Sequence, residues 1–218
     1  MTLVCGIEEA GRGPVIGPLV MCGVVMDEKM VFELDASGVK DSKLLTPQQR
    51  ENLFEKIKKM ADDFKIIILS SQDVDDALID ETMNLNWLEA KTSAKIINKL
   101  KADKVIMDCP STNIESYKNY VKKYINNDKI EVIAEHKADL NYTVVGAASI
   151  LAKVTRDREI EKIKQKINKE FGSGYPSDPR TVEFLKENYN KYPDIFRKTW
   201  SSYKKVAEGK KQKSLGDF

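Results

Sequence analysis

Apolar residues at Leu3, Val4, Cys5 and Ile7 form a short run that ends on two adjacent acids, Glu8 and Glu9. A turn of glycines and prolines (Gly11 to Pro18) separates it from a second apolar run, Leu19–Met26, and this pattern predicts antiparallel neighbouring strands. A polar connection containing Asp41-Ser42-Lys43 follows. Thr46 is then placed as a helix N-cap, with Pro47 at the first helical position and Gln49 completing a capping box. Leu53, Phe54 and Ile57 supply that helix's apolar stripe. The run KIIILSS (Lys65–Ser71) reads as a third strand buried on both faces. Leu85, Leu88, Ile96, Ile97 and Leu100 keep helical spacing. A fourth strand is predicted at Lys104–Asp108, a helix around Ile114–Ile125 and a fifth strand at Ile130–Ala134. A long helix spans Tyr142–Phe171 and breaks at Gly172–Pro179. Helices at Arg180–Asn190 and near Ser201–Ala207 follow. The order implies an α/β fold: a mixed five-stranded sheet flanked by helices, followed by a C-terminal helical region.

The chain has 218 residues, 41% of them hydrophobic, which suits one large domain, or one domain with a small appendage, with enough apolar mass for a sizeable core. A net charge of +2 says nothing by itself about nucleic acid. Its distribution says more, since Arg197 to Lys213 holds seven basic residues against one acid, Glu208. Three widely spaced cysteines, Cys5, Cys22 and Cys109, argue against a disulfide framework or a zinc site. With no leader-like N-terminus and no apolar run long enough to span a bilayer, a cytoplasmic protein without a membrane partner is expected.

Four acids share one pattern: Glu8, Glu9, Asp108 and Asp139 each lie at or just beyond a predicted strand end. Neighbouring strands bring such ends together whatever their separation in sequence, and converging carboxylates suit a hard cation such as Mg²⁺. Separate solvated strand ends are the alternative that spacing alone leaves open.

The stretches GIEEAGRGPVIGPLV (Gly6–Val20), VKDSKLLT (Val39–Thr46), IMDCP (Ile106–Pro110), AEHKAD (Ala134–Asp139), AASILAKVTRD (Ala147–Asp157) and GSGYPSDPRT (Gly172–Thr181) together resemble ribonuclease HII, the type 2 ribonuclease H, in its archaeal form. They stand in family order over almost the whole chain. The resemblance implies a ribonuclease H-like fold and a metal-dependent endoribonuclease. Its substrates would be RNA–DNA hybrids and duplex DNA containing single ribonucleotides, cut 5′ of the ribonucleotide to leave a 3′-hydroxyl and a 5′-phosphate. Glu8, Glu9, Asp108 and Asp139 would be the catalytic and metal-binding acids, holding two Mg²⁺ or Mn²⁺ ions. Gly11, Arg12 and Gly13 would read the 2′-hydroxyl, Tyr175 would pack on the sugar at the ribonucleotide junction, and Lys43 would meet a phosphate. The family ordinarily carries aspartate where this chain has Glu8. His136, the sole histidine, is not expected to act as general base, whereas Lys137 and Lys153 suit either a phosphate contact or an acid partner. Trp87 and Trp200 read as packing residues, and the cysteines as small buried side chains.

Residues 1–208 are expected to form the catalytic domain, helical from about 172, with 209–218 a flexible tail. Gln212, Leu215 and Phe218 fall at i, i+3 and i+6, which resembles the peptide by which replication and repair enzymes dock on the sliding clamp, proliferating-cell nuclear antigen. A monomer is expected. Two other functions compete: a DNA-directed nuclease of the same fold class, and a clamp-tethered ribonucleotide-binding protein that cuts weakly or not at all because of Glu8.

Overall fold

The computed structural model describes residues 2–36, 39 and 45–215, with side chains described as far as residue 209. Lys43 and Phe218 lie outside these residues, and Gln212 and Leu215 are described as backbone only. By internal contacts the chain forms two compact units. The first comprises Met1–Ala10, Val20–Ile68 and Leu85–Thr155; the second comprises Gly11–Leu19, Leu69–Asn84 and Arg156–Phe218.

The first unit contains the sheet. Its strands are β1 (Leu3–Ala10), β2 (Leu19–Asp27), β3 (Asp63–Leu69), β4 (Lys104–Asp108) and β5 (Glu131–Glu135), in the order β3-β2-β1-β4-β5. The β1–β2 pair is antiparallel, as the turn signals imply, and β1–β4 and β4–β5 are parallel. The sheet is therefore mixed and five-stranded. β1 extends through Glu8 and Glu9, which pair with Cys22 and Met21, so both acids sit inside the strand rather than beyond it. β3 differs from its expected burial. It is an edge strand of half-exposed and exposed residues, because no strand among the described residues lies on its far side.

Side chains alternate across the sheet. On one face, Val4 and Ile106 pack with Ala138, Val144 and Val145, while Ala10, Val20, Cys22, Val24 and Met26 pack with Ala147, Ala148, Leu151 and Val154. These partners come from α7 (Thr143–Ile167) and the short α6 (Ala138–Asn141) before it. A side chain at Gly6 would collide with the backbone of Val144 and Val145, so only glycine permits this approach of strand to helix. On the other face, Gly23 lies against Ile96 and Leu100, the former on α4 (Leu85–Ile97), and α4 packs on α5 (Ile114–Lys122). This unit also contains α1 (Glu28–Asp35), capped by Asp27, and α2 (Pro47–Met60), which shows the expected Thr46–Gln49 capping box.

In the second unit, Val15, Ile16, Ile160, Phe171, Phe184, Leu185 and Phe196 form the core. They join the latter half of α7 to α8 (Pro179–Asn188), and α9 (Ser201–Leu215) contributes Tyr203 and Val206. The second unit takes in α7 from Arg156 onward, and Ile160, Ile163 and Ile167 of that helix pack in this core. α3 (Ser71–Ile79), capped by Ser70, also belongs to it. The helix expected near Ser201–Ala207 continues to Leu215, so Gln212 and Leu215 lie on helical backbone. No helix among the described residues is long and apolar enough to cross a membrane.

Candidate functional site

In the sheet unit, Glu8 lies on the face of β1 that meets α7, together with Gly6 and Ala10, and Glu9 points to the opposite face by strand alternation. β4 runs parallel beside β1, with Ile7 paired to Met107, which sets Asp108 next to Glu8 along the strands. Asp108 is held in place: its Oδ1 accepts the backbone N–H of Ala138 at 2.7 Å, at the start of α6. Lys137, just before, takes the left-handed conformation with φ 60°, which swings the chain into that helix. Asp139 follows in the first turn of α6 and is buried.

All four acids act in one electrostatic field. The Glu8 carboxyl is held well above the ordinary glutamate range, first by burial and then by repulsion from Glu9, Asp108 and Asp139, with Lys153 opposing them. Its Oε2 is buried and has no hydrogen-bond partner among the described residues. Of the two roles open to Lys153, the structure thus favours proximity to the acids. Glu9 extends the field to the other face, where it helps to raise the phenol of Tyr117, after burial and Glu89. Glu89 is itself fully buried on α4. His136 is oriented by the Cys109 carbonyl, which accepts from Nδ1 at 2.8 Å and so fixes the proton on that nitrogen. The three cysteines are buried.

A hard divalent cation suits this donor set. Every candidate ligand is a carboxylate oxygen, Glu8 Oε2 is buried with no hydrogen-bond partner among the described residues, and clustered negative charge is relieved by a cation. No three His, Cys, Asp or Glu side chains among the described residues already form a metal cage. The fit is thus one of chemistry and proximity, without a preformed coordination sphere.

In the second unit, Gly11, with φ +88°, leads into Arg12 and Gly13. A side chain at Gly11 would lie 2.6 Å from the Pro18 carbonyl oxygen and 2.7 Å from Cδ of Arg156. The Arg156 guanidinium stacks 5.1 Å from the Tyr175 ring centroid and donates from Nη2 to the Ser173 carbonyl at 3.0 Å. Tyr175, 37% exposed, is anchored on one side and open on the other. Its loop is pinned by Asp178, whose carboxylate accepts from the Ser173 amide and from Arg180. Gly13 faces Tyr175, at 3.5 Å from an added Cβ to Cε1.

Sequence reasoning passed over Glu89, Arg156 and Arg197. Glu89 shares the helical face of Leu85 and Ile96, so an acid on an apolar stripe was the available signal. Arg197, the first of the seven basic residues between 197 and 213, is fully buried.

Comparison with known proteins identifies the family and the fold. A sequence model of the ribonuclease HII family matches residues 5–203. Ribonuclease HII of Pyrococcus furiosus is 46% identical over 213 residues, spanning 95% of this chain and 92% of that protein. The crystal structure of ribonuclease H2 from Pyrococcus horikoshii OT3 superposes with a TM-score of 0.88 at 45% identity, covering 97% of this chain and all of that one. Ribonuclease HII from Archaeoglobus fulgidus, solved as a complex with PCNA, gives a TM-score of 0.83 at 39% identity over 91% of this chain and 95% of that one. With family motifs in order and matches over nearly its full length, the chain belongs to the ribonuclease HII family of metal-dependent endoribonucleases.

Proposed function

We propose that this protein cuts the RNA strand of RNA–DNA hybrids and the 5′ side of single ribonucleotides embedded in duplex DNA, leaving a 3′-hydroxyl and a 5′-phosphate. The observation that carries the reading is the shared field of Glu8, Glu9, Asp108 and Asp139, in which burial and three neighbouring acids raise one carboxyl. These four residues would hold two divalent ions, Mg²⁺ or Mn²⁺. When bound, such ions supply an activated water and stabilise the leaving oxygen. The chain's own contribution is to gather the charge and to fix Asp108 through the Ala138 amide. Lys153 offsets part of the repulsion. His136 is not assigned a proton-transfer role.

Recognition is assigned to Gly11, Arg12 and Gly13 for the 2′-hydroxyl, the group that separates RNA from DNA. Tyr175 is assigned to the sugar and Lys43 to a backbone phosphate. Residues 1–208 would act as the catalytic domain. Gln212, Leu215 and Phe218 would dock on a sliding clamp, a reading supported by the Archaeoglobus relative solved with PCNA.

Glu8 gives the proposal its sharpest test. Its extra methylene carries the carboxylate about 1–1.5 Å further than aspartate would, and misplacement on that scale can cost ~100-fold in rate. Mn²⁺ tolerates distorted geometry better than Mg²⁺. Cleavage of a one-ribonucleotide duplex is therefore measured with each metal, for this chain and for Glu8→Asp, beside an all-DNA duplex. The expected result is cleavage confined to the ribonucleotide substrate, with a larger Mn²⁺ advantage for this chain than for Glu8→Asp. Equal cutting of all-DNA duplex would favour a DNA-directed nuclease. No cutting by either protein in either metal would favour a ribonucleotide-binding protein.

A further inference from the structure

The Gly11–Gly17 turn is held from a segment about 180 residues away in sequence. The buried Arg197 guanidinium donates from Nη2 to the Gly11 carbonyl at 2.6 Å, from Nη1 to the Arg12 carbonyl at 3.1 Å and from Nε to the Gly17 carbonyl at 3.0 Å. The Trp200 indole, 4.8 Å from that guanidinium, donates to the Gly13 carbonyl at 3.2 Å. Arg197 is itself fixed. Its amide donates to Val15 at 2.8 Å, and Ile16 bridges to Phe196. Buried Asp75 accepts the amides of Lys198 and Thr199 and the Thr199 hydroxyl.

This arrangement sets the direction of particular amides. A trans peptide is planar, so its N–H points opposite its C=O. Fixing the Gly11 carbonyl therefore aims the Arg12 N–H, and fixing the Arg12 carbonyl aims the Gly13 N–H. Both point away from the guanidinium. One planar fork fixes two successive peptide planes together, which a single ammonium on a flexible stem does not reproduce. The Gly13 and Gly17 carbonyls precede prolines and carry no N–H, so the bonds to them anchor the loop without aiming a donor.

We propose that Arg197 is a positioning residue for ribonucleotide selection: its guanidinium orients the Arg12 and Gly13 amides toward the 2′-hydroxyl. The inference rests on the reading of this turn given under Proposed function. The test uses Arg197→Lys in the full-length, metal-free protein, with two readouts. The first is the amide NMR signals of Arg12 and Gly13 without nucleic acid. The second is the ratio of affinities, by fluorescence anisotropy, for a one-ribonucleotide duplex and the matching all-DNA duplex. Because both duplexes meet the same folded population, partial unfolding cancels from the ratio. Ser71→Ala is the structural control. It removes a buried hydroxyl bonded to the Gly17 and Ile195 carbonyls, which lie outside the two aimed peptides.

The expected result is displaced Arg12 and Gly13 signals and a ribonucleotide preference reduced ~10-fold or more in Arg197→Lys, with the preference kept in Ser71→Ala. Should Arg197→Lys not fold, Asp75→Asn, which loosens the segment beside Arg197, must shift the same two amides and lower the same ratio. An unchanged ratio with unmoved amides, or an equal loss in Ser71→Ala, overturns the positioning role. A wild-type protein with no ribonucleotide preference overturns instead the reading of the turn on which it rests.

Discussion

Replacing Gly11 by alanine tests how the turn is built. Two costs arise. Gly11 has φ +88°, a conformation that costs a residue with a Cβ about 1–2 kcal/mol. The added Cβ would also stand 2.6 Å from the Pro18 carbonyl oxygen, where ordinary contact begins at 3.4 Å. The Arg156 side chain, 2.7 Å away at Cδ, can move aside, but the Pro18 oxygen is backbone and yields only if the turn shifts by about 0.8 Å. Together these predict a loss of about 2–4 kcal/mol, read as a lower urea midpoint at unchanged slope. Gly13→Ala is the internal comparison. Gly13 lacks a positive φ, and its added Cβ would meet Tyr175 at 3.5 Å, an ordinary contact, so its stability should stay within about 0.5 kcal/mol of wild type. The displaced turn should also cost Gly11→Ala ~10–100-fold in cleavage of a one-ribonucleotide duplex. Equal stability of the two variants within about 0.5 kcal/mol would refute the steric reasoning.

Glu8→Gln should raise the melting temperature of metal-free protein at neutral pH. The folded state holds the Glu8 proton more tightly than the unfolded chain, so wild-type stability falls as pH rises from the ordinary glutamate value through the raised one. The same variant should lose most of the thermal stabilisation that Mg²⁺ or Mn²⁺ gives wild type; an undiminished response would remove Glu8 from the ligand set. Asp178 predicts the opposite sign, because the Arg180 guanidinium and the Ser173 amide hold its carboxyl well below the aspartate range. Its contribution is present above the ordinary aspartate value and lost as pH falls through the depressed one, so the stability gap between wild type and Asp178→Asn should narrow with acidification. Deleting Gln212–Phe218 should abolish clamp binding in calorimetry while leaving hydrolysis of short substrates intact, and unchanged affinity would exclude the tail as the docking peptide.

Local chemistry made much of the fold legible. Thr46, Pro47 and Gln49 announce α2 because a capping box and a proline act within one turn. The first two strands declare themselves by apolar runs on either side of a glycine–proline turn. What stayed hidden depends on partners far away in sequence. Lys65–Leu69 is as apolar as a central strand, and only the sheet order makes β3 an edge. Ser70 and Asp73 form a capping box for α3, but reading the serines as the end of a strand concealed it. Arg197 looked like one more tail cation. Its burial follows from carbonyls at Gly11, Arg12 and Gly17, which no periodicity near residue 197 encodes. At the acids, the sequence shows four carboxylates near predicted strand ends, while the field that joins them follows from the parallel register of β1 and β4 and the placing of Asp139 on α6.

That register explains why adjacent acids at Glu8 and Glu9 need not be redundant. Strand alternation sends them to opposite faces, and a one-residue slip would exchange them. Such a slip is blocked two residues earlier. Gly6 meets the backbone of Val144 and Val145, where no side chain fits, and moving Cys5 or Ile7 into its place would drive a side chain into helix backbone. On the partner strand, Gly23 pairs with Ile7 and gives room to Ile96 on the other face. Two glycines, one per face, therefore lock β1 in the single register that aims Glu8 at the α7 side with Lys153 and Glu9 at the side of Tyr117 and Glu89. The identity of each acid is thus set by packing that involves no charge. The methylene that Glu8 has beyond aspartate changes reach along a fixed direction, whereas losing either glycine would change the direction itself.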